Sequence, residues 1–586
     1  MEDSLLETGL ESQDVPKRFV ICWKLSNTTK RGSKRLEYRK RLAVAVLTTI
    51  LVLLPTTFTY IRIRNRQLEN DVSNLTRPHV IFIVADDLGW NDVGWNNKKI
   101  KSPNLDNLAK AGVMLDHYYT YPICTPSRAA ILTGYYSHRI GLQQRVIHDF
   151  QKRFVPKDIP MISERFQELG YSTNMVGKWH LGHCNWDYTP THRGFDSFFG
   201  YNFATLSYYT HTWRKLYDLW ENRSPYLDPE KTYSTDLFSK RSLTVIENHA
   251  QLHGNRKPLF LYLAFQAIHG PAEEVPEKYQ IETPFKNVKS REIAARAVKA
   301  MDEAIGNLIS SLERNNLMKN ALVAFVSDNG GEISNGGNNL PFRGGKFTLW
   351  EGGARVPAFV YGPMLSNPGR VHSGLFHAVD WFPTLLSAVK APPETGVPRY
   401  DGIDQWDLLR NGSNQEVSLR YDIVYGIDTS RNAAIRVGDY KIIQGNPVGE
   451  AYEKIMKDSK SPFDANGWPQ GDKPGSGRSR DTFTDESVLL FNLRQDPEER
   501  VNLADKMPEM VERMRERLNT EISRAVPEQD RIRYRDEAMN KHLFNMSGKE
   551  DDEMAAIIPD QETEEEDPVT EKKKSHGTNP VAPPTI

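Results

Sequence analysis

Residues 122–134 read Pro122-Ile-Cys-Thr-Pro-Ser-Arg-Ala-Ala-Ile-Leu-Thr-Gly134. Pro126 suits the first turn of a helix, where its missing N–H has no partner to lose. Ala129, Ala130, Ile131 and Leu132 continue an apolar, helix-forming run. Cys124 therefore stands at or just before a helix N-terminus, where the dipole and unpaired N–H groups favour an anion. Arg128 follows one turn later and can point at the same anion. An isolated cysteine before a helix is most often a buried structural thiol; the segments on either side decide between that and chemistry.

Three apolar runs frame this helix in the chain: residues 79–87 (HVIFIVADD), 258–266 (PLFLYLAFQ) and 321–327 (ALVAFVS). Each is short, uniformly apolar and rich in β-formers, the pattern of a strand buried on both faces of an α/β sheet. Each also ends in polar residues. Asp86 and Asp87 close the first run, His269 follows the second, and Asp328 and Asn329 follow the third. Ligands of open α/β sheets bind at the carboxyl ends of strands. Adjacent acids and an Asp-Asn pair are the oxygen donors that a hard cation such as Ca²⁺ or Mg²⁺ takes; either pair alone also reads as a solvated turn.

A further short strand, 172–176, leads to Gly177-Lys-Trp-His-Leu-Gly182. On an extended segment Lys178 and His180 face one side, and a cation beside an imidazole suits an anionic ester. Arg343-Gly-Gly-Lys346 is either a second cationic element of the site or a flexible basic loop. Helices are expected over 103–111, 161–169, 290–315, 376–389 and 507–524, with short strands over 433–444 and 488–494.

Cys-x-Pro-Ser-Arg followed by Thr133-Gly134 resembles the signature of the type I sulfatases. The residues at 79–95, 177–182, 258–271, 321–331 and 343–353 resemble further motifs of that family, in family order. The likeness covers about 78–405 and extends more weakly to about 525; HRGFDSFFGY at 192–201 is most similar to the arylsulfatase B, I and J group. The resemblance implies an alkaline-phosphatase-like mixed sheet between helices, with a smaller C-terminal antiparallel subdomain. It implies that a formylglycine-generating enzyme converts Cys124 to formylglycine, whose hydrate attacks the ester sulfur with one hydroxyl and expels the sulfate with the other. It further implies one Ca²⁺ held by Asp86, Asp87, Asp328, Asn329 and the residue at 124. Lys178, Lys346 and His269 would contact the sulfate, with His269 and Lys346 protonating the leaving alcohol. Arg128 and His180 would orient the formylglycine. The substrate would be an aryl sulfate or a sulfated sugar, by analogy N-acetylgalactosamine 4-sulfate of glycosaminoglycans. A phosphodiesterase of the same superfamily would carry Ser or Thr at 124. The other alternative is a catalytically silent, membrane-anchored protein that binds sulfated glycans.

The chain departs from that group in its cysteines. Cys22, Cys124 and Cys184 are the only three, which excludes a disulfide framework. Cys184 reads as a buried thiol, with an intermolecular disulfide as the alternative. His183, His192, His211 and His253 have no metal-like spacing and read as surface or cleft residues.

The full chain of 586 residues has a net charge of −1, which gives no footprint for nucleic acid. Residues 42–61 carry no charge over twenty positions, enough to cross a bilayer as a helix. Seven basic residues lie between Lys30 and Arg41, against Arg62, Arg64 and Arg66 on the other flank. That asymmetry predicts a type II signal anchor: 1–41 cytosolic, 42–61 in the membrane, 62–77 a stalk. A cleaved signal peptide is the first alternative and a buried core helix the second. The rest would lie in the lumen of the secretory pathway or outside the cell: 78–415 the catalytic domain, 416–528 the C-terminal subdomain, 529–586 a disordered tail. Ten acids between 550 and 567 mark that tail. The sequons at Asn74, Asn222, Asn411 and Asn545 all fall on the lumenal side.

Overall fold

The computed structural model describes residues 43–44 and 77–529, apart from 144, 150, 215, 283–287, 393–398, 413–416, 428–431, 449–483 and 485. Met1–Asn70 and Asp71–Ile586 are separate units. In the first only Ala43 and Val44 are described, both helical and exposed. The expected membrane span therefore lies almost wholly outside the described residues, among which no helix is long and apolar enough to cross a membrane. The tail after 529 and most of the stalk also lie outside them.

In chain order the strands of the second unit are β1 (His79–Ala85), β2 (Val113–Tyr119), β3 (Ser172–Lys178), β4 (Ser197–Tyr201), β5 (Thr212–Trp213), β6 (Leu216–Tyr217), β7 (Trp220–Glu221), β8 (Ser224–Pro225), β9 (Leu259–Ala264), β10 (Ala321–Ser327), β11 (Ala358–Tyr361), β12 (Arg370–His377), β13 (Asp422–Ile427), β14 (Ala433–Val437), β15 (Tyr440–Gln444) and β16 (Val488–Asn492). The helices are α1 (Pro103–Ala111), α2 (Cys124–Thr133), α3 (Ile162–Glu168), α4 (Ser234–Leu252), α5 (Lys289–Arg314), α6 (Glu351–Ala354), α7 (Trp381–Ala388), α8 (Trp406–Asn411) and α9 (Pro508–Ile522).

Ten strands form one mixed sheet in the order β12-β2-β11-β10-β1-β9-β3-β4-β7-β8. Its centre, β10-β1-β9-β3-β4, is parallel throughout. Every residue of β1, β9 and β10 is buried, because helices cover both faces. Val80, Phe82 and Val84 share one core with Ala129 and Ala130 of α2 and with Trp381 and Phe382 of α7. Ile81 and Ile83 share the other with Val298, Met301 and Ile305 of α5. Burial on alternate sides explains the uninterrupted apolar runs: each such side chain gains roughly 1.5–3 kcal/mol from leaving water.

The register brings the strand ends level. Ala85 pairs with Ser327, Val84 with Ala264, and Gly177 with Ala264. The residues that follow each strand therefore emerge at one edge of the sheet. Gly177 is needed for this: its φ is +103°, and a Cβ there would lie 1.8 Å from the carbonyl oxygen of Ala264.

The small sheet, β13-β14-β15-β16, is antiparallel, and Gly438 at φ +59° makes the β14–β15 turn. Its faces alternate as the pleat requires. Val424, Ile435, Ile442 and Leu490 pack on Val511, Met514 and Leu518 of α9. Ile423, Tyr425, Ile443 and Phe491 pack on Tyr119, Trp350 and Ala354 of the large domain.

One expected element is different. The helix expected over 376–389 begins only at Trp381, because Phe376 and His377 end β12 and pair in parallel with Tyr118 and Tyr119. A single 3₁₀ turn, Ala378–Asp380, then joins strand to helix, with Asp380 Oδ2 accepting from the His377 backbone N–H at 2.9 Å. The ladder uses the backbone groups that a longer helix would have needed.

Candidate active site

Cys124 is the first residue of α2, and Ile123 before it is extended. Pro126 is the third helical residue, still among the positions whose N–H has no intrahelical acceptor. Ser127 ties down this end: its hydroxyl donates to the Ile123 carbonyl at 3.0 Å and accepts from the Tyr121 N–H at 3.1 Å. Cys124 Sγ points across to β1, 3.6 Å from Asp86 Oδ1. Burial pushes its thiol pKa up, and Lys178 and Lys346 offset this only in part. As a plain thiol it is protonated and a poor nucleophile.

Around Cys124 stand three carboxylates and three cations. Lys178 Nζ lies 2.7 Å from Asp86 Oδ2, and Lys346 Nζ lies 2.9 Å from Asp87 Oδ2. The Arg128 guanidinium grips Asp328 Oδ2 at 2.9 and 2.8 Å and reaches Asp86 at 3.6 Å. Arg128 thus faces the carboxylates across the sheet edge and also donates to the Lys178 carbonyl at 3.2 Å. Asp328 Oδ1 accepts from the Asp87 N–H at 3.2 Å. Asn329 Nδ2 donates to Asp87 Oδ1 at 2.8 Å.

The three acids divide. Burial opposes the charge on Asp86, but Lys178, His269, Arg128 and Lys346 outweigh it and hold the carboxyl well below the usual range. Burial raises Asp87 to about 6, against Lys346 and with Asp86 adding to the rise. Asp328 also rises to about 6, through burial and then the charge of Asp86, against Arg128. The three cations thus do not offset the burial of Asp87 and Asp328.

A cation fits this deficit. Donor atoms of Asp86, Asp87, Cys124 and His269 all lie within 4.8 Å of one another. Asn329 Oδ1 is buried with no hydrogen-bond partner among the described residues, a carbonyl oxygen left over beside two carboxylates. Carboxylate and amide oxygens are hard donors, as Ca²⁺ or Mg²⁺ requires. Compared with the expected ligand set, the compact cluster also contains His269, while Asp328 is engaged by Arg128.

His269 Nδ1 lies 2.6 Å from the Gly270 carbonyl, which fixes Nδ1 as the protonated nitrogen and turns Nε2 towards Asp87 Oδ2, 3.8 Å away. Burial and then Lys346 lower its pKa to about 4. His180 does not continue the extended segment, because β3 ends at Lys178 and His180 sits at φ +60°. Its Nε2 bonds the Ile147 carbonyl at 3.0 Å, while Nδ1 is buried without a partner among the described residues. Thr125 completes this link, donating to the His180 carbonyl at 3.2 Å and accepting from the Ile147 N–H at 3.1 Å. Burial, then Lys178 and Arg128, hold His180 neutral, well below the ordinary imidazole range.

Two further residues, to which the sequence reading gives no role, join the site. The buried Tyr201 hydroxyl at the end of β4 has no partner among the described residues. Glu332, three residues beyond Asn329, lies 3.5 Å from Lys346 Nζ. Its place next to the Asp328-Asn329-Gly-Gly run was the available signal.

The other sequence expectations sort simply. His183 and His211 are buried rather than at the surface: His183 packs edge-on to Phe203, and His211 Nε2 lies 3.1 Å from Asp228. His192 is exposed and His253 half-buried. Cys184 is buried and in no disulfide among the described residues. Asn222, in the β7–β8 turn, and Asn411, ending α8, are both exposed, whereas Asn74 and Asn545 lie outside the described residues.

Residues 78–391 match the family model described as Sulfatase. The chain belongs to the sulfatase family. This sulfatase is 37% identical to arylsulfatase J of Mus musculus over 485 residues, covering 78% of each chain. It is 31% identical to N-acetylgalactosamine-6-sulfatase of Canis lupus familiaris over 389 residues, 62% of this chain and 71% of that one. Among solved structures, Ps i-CgsB in complex with k-i-k-neocarrahexaose superposes with a TM-score of 0.64 at 26% identity, covering 81% of this chain and 99% of that one. The chain is a sulfuric ester hydrolase of the type I sulfatase family, and its sheet is of the mixed, alkaline-phosphatase-like kind.

Proposed function

We propose that this sulfatase hydrolyses sulfate esters of sulfated sugars, with Cys124 as formylglycine and Ca²⁺ as its metal. The observation that carries the proposal is the meeting of Cys124 Sγ with Asp86 at 3.6 Å inside a buried ring of three acids, two lysines and an arginine. A protonated, buried cysteine has no use for such surroundings; an anion-binding hydrolytic centre has. Asp86, Asp87, Asp328, Asn329 and residue 124 would hold the cation, with His269 close by. When bound, the ion supplies Lewis-acid polarisation of a sulfate oxygen and charge for the acids. The modified side chain supplies the nucleophilic oxygen.

The remaining work belongs to the chain's own side chains. Lys346 stays protonated: burial disfavours its charge, but Asp87, residue 124 and Glu332 hold its pKa well above the usual value. It and Lys178 are placed to bind sulfate oxygens. His269 is neutral at rest, and an arriving sulfate monoanion opposes the burial and the Lys346 charge that depress it. Its Nε2 can then carry a proton to the departing alkoxide oxygen. Arg128 and His180 fix the start of α2, one through Asp328 and the other through Ile147 and Thr125.

N-acetylgalactosamine 4-sulfate in a glycosaminoglycan is the substrate we assign. The sugar is supported by the name of a relative, N-acetylgalactosamine-6-sulfatase; position 4 rests on the likeness to the arylsulfatase B, I and J group. We place the enzyme in the secretory pathway, anchored as a type II membrane protein by residues 42–61, because conversion of Cys124 takes place there and the flanking charges orient the chain.

The test is mass spectrometry of the tryptic peptide 111–128 from protein made in eukaryotic cells. The expected product has lost the thiol sulfur and two hydrogens and gained one oxygen. An aryl sulfate should then be turned over by the native protein and not by Cys124→Ala. Unmodified cysteine throughout, in a host with an active converting enzyme, would overturn the hydrolase reading in favour of a glycan-binding protein.

A further inference from the structure

The site is closed almost everywhere. The side chains of Asp86, Lys178 and Arg128 have no exposure, and those of Asp87 and Lys346 have 2% and 3%. Two side chains of the cluster are more open: His269 at 10% and Glu332 at 15%. A substrate therefore reaches the buried acids and lysines past these two. The sulfate must sit deep, by Lys178 and Lys346, so the alcohol to which it is attached lies at the level of His269 and Glu332.

Glu332 is out of place in a centre built for anions. The carboxylate is not simply a counter-ion, because Lys346 already has Asp87 at 2.9 Å, closer than Glu332 at 3.5 Å. It is also held in a fixed orientation: the Ser334 hydroxyl donates to Oε1 at 2.8 Å, which leaves Oε2 towards Lys346. Burial disfavours its charge, but Lys346 keeps it ionised. An ionised carboxylate at a mouth, with one oxygen fixed, accepts hydrogen bonds and repels anions.

We infer that Glu332 is a specificity-determining residue that reads the position next to the scissile ester. It accepts a hydrogen bond from a hydroxyl or amide N–H on the carbon adjacent to the sulfated one, and it excludes a second sulfate there. The inference rests on the sulfate-ester hydrolase reading given above. It assigns the substrate class more narrowly: esters with a neighbouring hydrogen-bond donor, not vicinal disulfates.

The experiment uses the full-length protein from eukaryotic cells and three aryl sulfates: phenyl sulfate, catechol monosulfate with its adjacent hydroxyl, and catechol disulfate. Native protein is expected to favour the monosulfate over the disulfate in kcat/KM by at least about tenfold, as suits a hydrogen bond to a charged group. In Glu332→Gln that ratio should fall to within about threefold, and the preference for catechol monosulfate over phenyl sulfate should shrink in parallel. Comparing ratios between variants cancels the different reactivities of the leaving groups. Ser334→Ala, which keeps the carboxylate and removes the hydroxyl that aims it, should lie between the two. Unchanged ratios in Glu332→Gln, or an equal fall on all three sulfates, overturn the inference, the latter because it makes Glu332 a support for Lys346 only. If the native protein turns over none of them, the hydrolase reading fails instead. The same ratios are then read from binding by calorimetry, where an unchanged preference in Glu332→Gln overturns the inference and a lost preference supports it.

Discussion

Lys178 Nζ lies 2.7 Å from Asp86 Oδ2, and neither side chain is exposed to solvent. A buried ion pair adds little over an apolar pair, but breaking one by removing a single partner leaves an uncompensated charge, typically at a cost of about 3–5 kcal/mol. Arg128 at 3.6 Å from the other Asp86 oxygen softens that here. Lys178→Met is therefore expected to lower stability by about 3 kcal/mol in denaturant titrations. It should lower kcat/KM towards an aryl sulfate by about a hundredfold or more, as loss of one charge-stabilising donor does. A stability loss with activity retained would mean that Lys178 serves Asp86 and not the substrate.

Asn329 offers a second handle, because its buried Oδ1 has no partner among the described residues while its Nδ2 serves Asp87. If that oxygen is a metal ligand, chelation of the native protein should lower Tm and abolish turnover, with Ca²⁺ restoring both. Metal at about a hundred times its Kd stabilises by about 2.7 kcal/mol. In Asn329→Ala the same Ca²⁺ concentration should restore much less of the Tm, with apparent affinity lower by about tenfold or more. Equal Ca²⁺ titrations of the two proteins by thermal unfolding would remove Asn329 from the ligand set.

The strand ends were legible because of where they lie. β1, β9 and β10 are buried on both faces, so their sequences are continuous apolar runs and the first polar residues after them stand out. What the runs do not carry is lateral register. That Ala85 lies level with Ser327, and Gly177 with Ala264, is decided by pairing between segments far apart in sequence. His180 was misplaced on the extended segment because a positive φ at a histidine leaves no trace in local pattern. Phe376 and His377 look helical until β2 is there to pair with them. Glu332 has only its place beside Asp328 and Asn329 as a signal, because its partner Lys346 approaches through a loop with no period to read.

Asn222 stands exposed in the β7–β8 turn, where its side-chain carbonyl accepts from the Phe198 N–H at 2.9 Å. Glycan attachment takes place at the amide nitrogen and leaves that acceptor intact. Asn222 is therefore expected to carry a glycan in protein from eukaryotic cells. Enzymatic deglycosylation should convert it to aspartate, seen by peptide mass, with Asn222→Gln removing one step of the gel shift. An unmodified Asn222 in secretory-pathway material would count against a lumenal catalytic domain.

Glu521 of α9 ties the C-terminal helix to the large domain. Its carboxylate meets Arg517 at 2.7 Å, Arg524 at 3.0 Å and His138 at 3.5 Å. Burial alone would raise its pKa, but the nearby His138, the hydrogen bond from Arg517 and the charges of both arginines outweigh this and bring it to about 2. An acid whose folded pKa lies below its unfolded value stabilises the fold above the unfolded pKa, near 4.5, and loses that contribution as pH falls through about 2. After allowance for solvent screening of Arg517 and Arg524, the amount at stake is about 2 kcal/mol. Denaturant midpoints measured from pH 6 down to pH 2 should therefore fall less steeply in Glu521→Gln than in the native protein. The two curves should converge at the acid end, because the native carboxyl is protonated there as well. Parallel curves across that range would place the acid sensitivity elsewhere, and α9 would then be held by Val511, Met514 and Leu518 against the small sheet rather than by its charges.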